Sequence, residues 1–250
     1  MRLTILGSGT NVHPTRAAAG YLIRTDQTLL LDFGPRTLMN LIRTGVNRHR
    51  IEYILFSHYH SDHFADFIPF FFDAVFYSNY LGKRPDLTII GPRGTTRLFR
   101  TLIAALPGFK KARFTTRFKE VSDRPFRIGN TKVVPHPVIH SPGLHCLGYR
   151  IEHRGKAFAY SGDAQYCESL VRLCRDVDLD VLACSFPANK PGQGHLHAGE
   201  CGLVAAEAGV NRLVLSHFYP IAERYNLREQ AGERFGGPVT LGRDRLSIRI

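Results

Sequence analysis

The stretch His58-Tyr59-His60-Ser61-Asp62-His63 restricts this chain more than any other. It follows an apolar run, Ile51 to Phe56, that reads as a buried strand, and it precedes the helix-like segment Phe64 to Tyr80. Extended backbone alternates its side chains, so His58 and His60 point to the same side. Asp62 and His63 fall where the chain turns into a helix, aimed back towards the same space. Imidazole nitrogens and carboxylate oxygens are the ligands of zinc and of other borderline first-row metals. Four such groups exceed what one ion takes from so short a segment, which points to a pair of metals.

The other chemistry-bearing residues also stand just beyond apolar runs. Leu3 to Leu6 reads as a strand, and the Gly7-Ser8-Gly9-Thr10 loop after it lacks the further glycine and helix start of a dinucleotide-binding fingerprint. Gly20 to Arg24 and Thr28 to Asp32 read as a strand pair, and Arg36 to Thr44 as a helix closed by Gly45. Beyond the motif, Leu87 to Ile90 is a strand and Gly94 to Leu106 a helix. Phe114 to Val121, Phe126 to Ile128 and Thr131 to Val138 are strands, the last leading to His140. Leu147 to Glu152 and Lys156 to Ser161 form a hairpin that delivers Gly162-Asp163. A helix at Tyr166 to Cys174, a strand at Asp180 to Cys184 and a Pro/Gly-rich loop lead to His195-Leu196-His197. A helix from Ala198 to Ala208 and a strand from Arg212 to Leu215 then run into Ser216-His217, and Arg245 to Ile250 alternates as a last strand. Ile54 to His58 and Leu213 to His217 echo each other, both being apolar strands that end in Ser-His. No linker shifts the composition, so residues 1–250 read as one domain of two similar halves.

An apolar content of 44% with 22% charged residues is ordinary for a globular protein. The formal charge of +12 favours anionic partners, phosphate esters or nucleic acid, although no run of five or six cations forms a polybasic tail. Five cysteines without a CxxC fit reduced thiols in a cytoplasmic protein better than a disulfide framework. The most apolar segment, Phe64 to Leu81, carries Asp66, Pro69 and Asp73, and reads as a buried helix or pocket wall rather than a membrane span. Its aromatic set from Phe67 to Tyr80 is core by default, with a substrate-pocket wall or a homodimer surface as the sharper alternatives.

Taken in order, His58 to His63, a later isolated histidine, Ser161-Gly162-Asp163 and the strand-end His217 resemble the metallo-β-lactamase fold superfamily. Leu6 to Thr10, Leu31-Asp32-Phe33-Gly34, Gly148-Tyr149-Arg150-Ile151 and Gly194-His195 are similar to the branch that holds ribonuclease Z and related phosphodiesterases. The resemblance implies an α/β fold, a four-layer αββα sandwich with a binuclear metal site at one edge of the two sheets. It implies one metal on His58, His60 and His140, another on Asp62, His63 and His217, and Asp163 bridging them. Asp62 would also orient the nucleophile. His145 competes with His140 as the third histidine; His140 is preferred because it ends a strand, which leaves His145 as a pocket residue. His195 would contact the scissile phosphate or protonate the leaving oxygen. His197, where relatives carry Thr or Ser, is a substrate contact or a polar residue at a helix start.

The implied cofactors are two divalent ions, zinc, with manganese or iron as alternatives. The implied activity is a metal-dependent hydrolase of small phosphodiesters or nucleotides, since paired metals make hydroxide available at neutral pH. A tRNA 3′-processing endoribonuclease is the alternative, and a non-catalytic metal- or nucleic-acid-binding module a third. Ribonuclease Z enzymes commonly insert a Gly/Pro- and Lys-rich tRNA-gripping arm between the Gly-Tyr-Arg strand and Ser-Gly-Asp. Here a bare turn at His153-Arg154-Gly155 stands in that place.

Overall fold

The computed structural model describes residues 1–250. Its first half runs β1 (Arg2–Gly7), β2 (Gly20–Arg24), β3 (Thr28–Phe33), α1 (Thr37–Arg43), β4 (Tyr53–Leu55), α2 (Ser61–Phe64), α3 (Phe67–Tyr80), β5 (Leu87–Gly91), α4 (Thr95–Ala105) and β6 (Thr116–Glu120). The second half runs β7 (Phe126–Ile128), β8 (Thr131–Val138), β9 (Cys146–His153), β10 (Lys156–Tyr160), α5 (Glu168–Cys174), β11 (Leu179–Phe186), β12 (Leu196–His197), α6 (Ala198–Glu207), β13 (Leu213–Ser216), α7 (Leu227–Gly232), β14 (Val239–Leu241) and β15 (Ser247–Arg249).

Runs such as Leu29-Leu30-Leu31 are continuously apolar because their strands are buried on both faces. Leu29 and Leu31 point into the seam between the sheets, against Tyr149, Ile151, Phe158 and Val181. Leu30 and Phe33 point the other way, beneath Phe67, Phe70, Phe71 and Phe99 of the helices. On the far side, Leu182, Leu213 and Leu215 lie beneath Leu170, Leu173, Val204 and Leu227. Three cores between four layers make an αββα sandwich, as the family resemblance implied.

One sheet has the order β15-β1-β2-β3-β4-β5-β6 and the other β14-β13-β11-β10-β9-β8-β7, with β12 beside β11. Each is antiparallel on one side and parallel on the other: β3 to β6 run parallel, as do β10, β11, β13 and β14. Parallel strands deliver their C-terminal ends to one edge, where loops converge while the sheet holds them rigid. Phe99 ties α4 to the motif strand, its ring 4.9 Å from that of Phe56 and 4.6 Å from that of Phe67. Truncating such a buried ring costs about 3–5 kcal/mol.

The helix expected from Phe64 to Tyr80 arrives as two, α2 and α3. At the break the Asp66 amide donates to the Phe33 carbonyl at 3.0 Å, and its carboxylate accepts the Leu38 amide at 2.7 Å. Pro69 sits in the first turn of α3, where a missing N–H costs nothing. Phe67, Phe70 and Phe71 enter the core, whereas Phe72, Phe76 and Tyr80 share an exposed face. The β9–β10 hairpin turns through Arg154 and Gly155, with φ of 50° and 72°, a two-residue turn with no inserted arm.

Candidate metal centre

Two glycines set the approach of the motif to the sheets. A Cβ on Gly34 would lie 1.8 Å from the Asp62 carbonyl oxygen, so α2 rests directly on the end of β3. Gly162, at φ 60°, leaves only 2.7 Å between an added Cβ and the Cβ of Ser57, which lets Asp163 reach the motif from the other sheet. The Ser57 carbonyl accepts the Leu147 amide at 2.9 Å and the Phe56 carbonyl accepts the Tyr149 hydroxyl at 2.8 Å.

Ligand-type atoms of His58, His60, His140 and Asp163 lie within 4.8 Å of one another, as do those of Asp62, His63 and His217. His60 Nδ1 is 3.1 Å from both His58 Nε2 and His140 Nε2, and His63 Nε2 is 3.2 Å from His217 Nε2. Asp163 lies between the groups: Oδ2 is 3.4 Å from His63 Nε2, 3.7 Å from His140 Nε2 and 3.9 Å from His58 Nε2, and Oδ1 is 3.4 Å from His217 Nδ1. Asp62 Oδ2 is 3.4 Å from His217 Nε2.

The outward-facing nitrogens say what the inward ones are. His140 Nδ1 donates to the Gly194 carbonyl at 2.8 Å, and His63 Nδ1 donates to the Asp32 carboxylate at 2.7 Å. Each of those rings, when neutral, therefore turns a lone pair inwards. One proton on His60 Nδ1 could not serve both His58 Nε2 and His140 Nε2, and the buried Asp163 Oδ1 has no hydrogen-bond partner at all. Tetrahedral metals at about 2.0–2.1 Å from nitrogen place neighbouring ligand atoms about 3.3 Å apart. The donor set fits cations.

Asp32 is the residue that reasoning from the sequence passed over as a functional group. Fully buried at the end of β3, it also accepts the Ser57 amide at 2.7 Å, the Ser57 hydroxyl at 2.6 Å and the Tyr160 hydroxyl at 2.6 Å. Ser185 is a second: its Oγ is 3.1 Å from His217 Nδ1 and 3.1 Å from His195 Nδ1. The Leu31-Asp32-Phe33-Gly34 motif and a carboxylate closing a Leu-Leu-Leu run were the signals for Asp32; Ser185 carried none.

Burial pushes His58 well below the ordinary imidazole range, with the neighbouring histidines adding to it. His60 is lowered for the same reasons. Burial alone would raise Asp163, but the imidazoles of His217, His63 and His58 hold it well below the usual carboxylate range. Asp62 is likewise lowered against its burial, by His217 and His63. His63, although burial opposes it, is raised by Asp163 and Asp32, so that a proton and a metal compete for its inward lone pair.

An open cleft of about 760 Å³ reaches the centre between the loops 138–144 and 193–195, lined by His60, His140, Ile139, Leu144, Gln165, Gln193 and His195. The His195 ring is 4.7 Å from that of His140, and burial lowers it to about 4. Of the two candidate third histidines the structure brings His140 to the cluster; His145 is exposed on the following turn. His197 caps α6: its Nδ1 accepts the Glu200 amide at 3.3 Å while the Glu200 carboxylate accepts the His197 amide at 3.1 Å. Neither His145 nor His197 lines this cleft.

A model of the beta-lactamase superfamily domain matches residues 27–218. The chain is 30% identical to a probable metallo-hydrolase, YhfI, of Bacillus subtilis, over 97% of each protein. It is 27% identical to a ribonuclease Z of Mycolicibacterium gilvum, over 100% of this chain and 96% of the relative. The crystal structure of YhfI superposes with a TM-score of 0.85 at 28% identity, covering 99% of this chain and 98% of YhfI. That of human tRNase Z, short form, superposes with a TM-score of 0.80 at 22% identity, covering 100% and 99%, a likeness of fold. No helix is long and apolar enough to cross a membrane. With this centre at the shared sheet edge, the chain belongs to the metallo-β-lactamase superfamily and is a metal-dependent hydrolase.

Proposed function

We propose that the chain is a binuclear phosphodiesterase acting on small phosphodiesters or nucleotides. The observation that carries this reading is the pair of ligand groups with the Asp163 carboxylate between them, beside an open cleft lined by His60, His140 and His195. His58, His60 and His140 would hold one ion, Asp62, His63 and His217 the other, and Asp163 both. Divalent metals there, zinc with manganese or iron as alternatives, would neutralise phosphate oxygens and make hydroxide available near pH 7. Asp62, on the first turn of α2, orients the attacking water through its carboxylate.

His195 acts at the leaving side. Burial keeps it neutral in the free protein; an anionic phosphate beside it favours the protonated ring. Ser185 engages Nδ1, which leaves Nε2 to hold the proton for the leaving oxygen.

The bare β9–β10 turn favours small substrates over a precisely positioned tRNA. The test compares a chromogenic phosphodiester with a precursor tRNA at physiological salt and matched metal loading. Efficient turnover of the first and poor trimming of the second is expected. Accurate, efficient removal of a 3′ trailer would replace this reading with the endoribonuclease.

A further inference from the structure

Residues 93–124, from the loop before α4 to the turn after β6, carry nine Lys and Arg against two acidic residues. That is a net +7 of the chain's +12 in about an eighth of its length. All nine cations are exposed. Arg117 alone has an acidic partner, Asp86 at 2.8 Å. Glu120 is turned instead onto the amides of Gly94 and Thr96 at the start of α4.

The cations are held in a pattern. Arg97 and Arg100, three apart, are neighbours on α4, and Arg117 and Lys119 share one side of the edge strand β6. The Arg100 guanidinium lies 5.7 Å from the Phe118 ring centre and the Lys119 ammonium 3.9 Å from that of Phe126, contacts that restrain both heads. Six of the nine are Arg, whose planar fork matches phosphate oxygens. The stripe starts beside the metal motif, because the hydroxyls of Tyr59 and Thr95 bond each other.

We propose that this face binds nucleic acid through its phosphates without reading sequence. An anionic membrane is the weaker partner, because no large apolar side chain between 93 and 124 is exposed to enter lipid. The proposal stands apart from hydrolysis, since binding is measured without turnover.

The test is fluorescence anisotropy with a mixed-sequence RNA of about 20 nucleotides across a salt series, where each phosphate neutralised adds about 0.7 to the slope. The variant Arg97→Ala/Arg100→Ala/Lys119→Ala is set against Arg2→Ala/Arg24→Ala/Arg249→Ala, exposed cations elsewhere on the chain. The first should bind about 10-fold or more weaker with a slope lower by about 2, and the second close to the parent. Arg93→Gln/Arg124→Gln, in the flanking loops, should lower the slope by about 1.4 and leaves the interiors of α4 and β6 untouched. Equal losses in the two triple variants, or none in the first, would overturn the proposal. So would binding to phosphatidylserine vesicles without binding to RNA. Loss of phosphodiester turnover with RNA binding intact would strike only the catalytic reading.

Discussion

The Asp32 carboxylate lies 2.7 Å from His63 Nδ1, and so decides which nitrogen of that ring faces the metal centre. Asp32→Asn offers one acceptor in place of two and an unwanted donor. Loss of such an outer partner lowers metal affinity by about 10–100-fold. Chelator competition on a variant with unchanged circular dichroism measures this. Affinity equal to the parent would remove Asp32 from the design of the site.

Metal occupancy tests the shared role of Asp163. Elemental analysis of reconstituted protein should approach two ions per chain, and a plateau at one would sink the bridge. His63→Ala and His217→Ala should empty one position, and His140→Ala should weaken the other. If His145→Ala strips metal while His140→Ala does not, the third histidine is misassigned.

What could be read in the chain, and what could not, divides by distance. The His58 to His63 stretch and the Ser-His strand ends were legible because their chemistry is local and strand periodicity aims it. The four-layer fold came with the family likeness, and the triple-Leu run of β3 agrees with it. Asp32 and Ser185 were not, because their partners arrive from 31 and 32 residues away. His197, read as a substrate contact or a polar residue at a helix start, stands at the helix start in a capping box, where an imidazole nitrogen does the work of a Ser oxygen. The segment after Tyr219 carried too weak a pattern to show α7 and β14.

His195→Ala should retain metals and fold while losing about 10²–10⁴ in turnover. The loss should shrink for substrates with good leaving groups, which need less protonation. Unchanged turnover on a poor leaving group would take His195 out of the mechanism.

Asp180 should govern part of the pH dependence of stability. It is fully buried beneath α5 and α6, both oxygens lack hydrogen-bond partners, and burial pushes its carboxyl up to about 7. Folding favours the protonated form, so its contribution is complete below about pH 4 and drains away as pH rises to about 7. Asp180→Asn should match the parent near pH 4.5 and exceed it by more than about 1 kcal/mol at pH 8. Parallel denaturation midpoints of the two proteins across that range would refute the assignment.

Asp32 and His217 both hold left-handed backbone, with φ of 53° and 61°. Residues other than glycine in that region carry about 1–3 kcal/mol of strain each, and persist only where their surroundings over-determine them. Anyone engineering a hardier version of this protein meets that pair as a fixed boundary. Glycine at position 32 would relax the bend, yet it would leave the Ser57 amide, the Ser57 and Tyr160 hydroxyls and His63 Nδ1 without their buried acceptor, at a cost that exceeds the strain relieved. The bend and the side chain it aims are therefore inseparable at Asp32, where relaxing the backbone unravels the bonds that hold β3 to the motif.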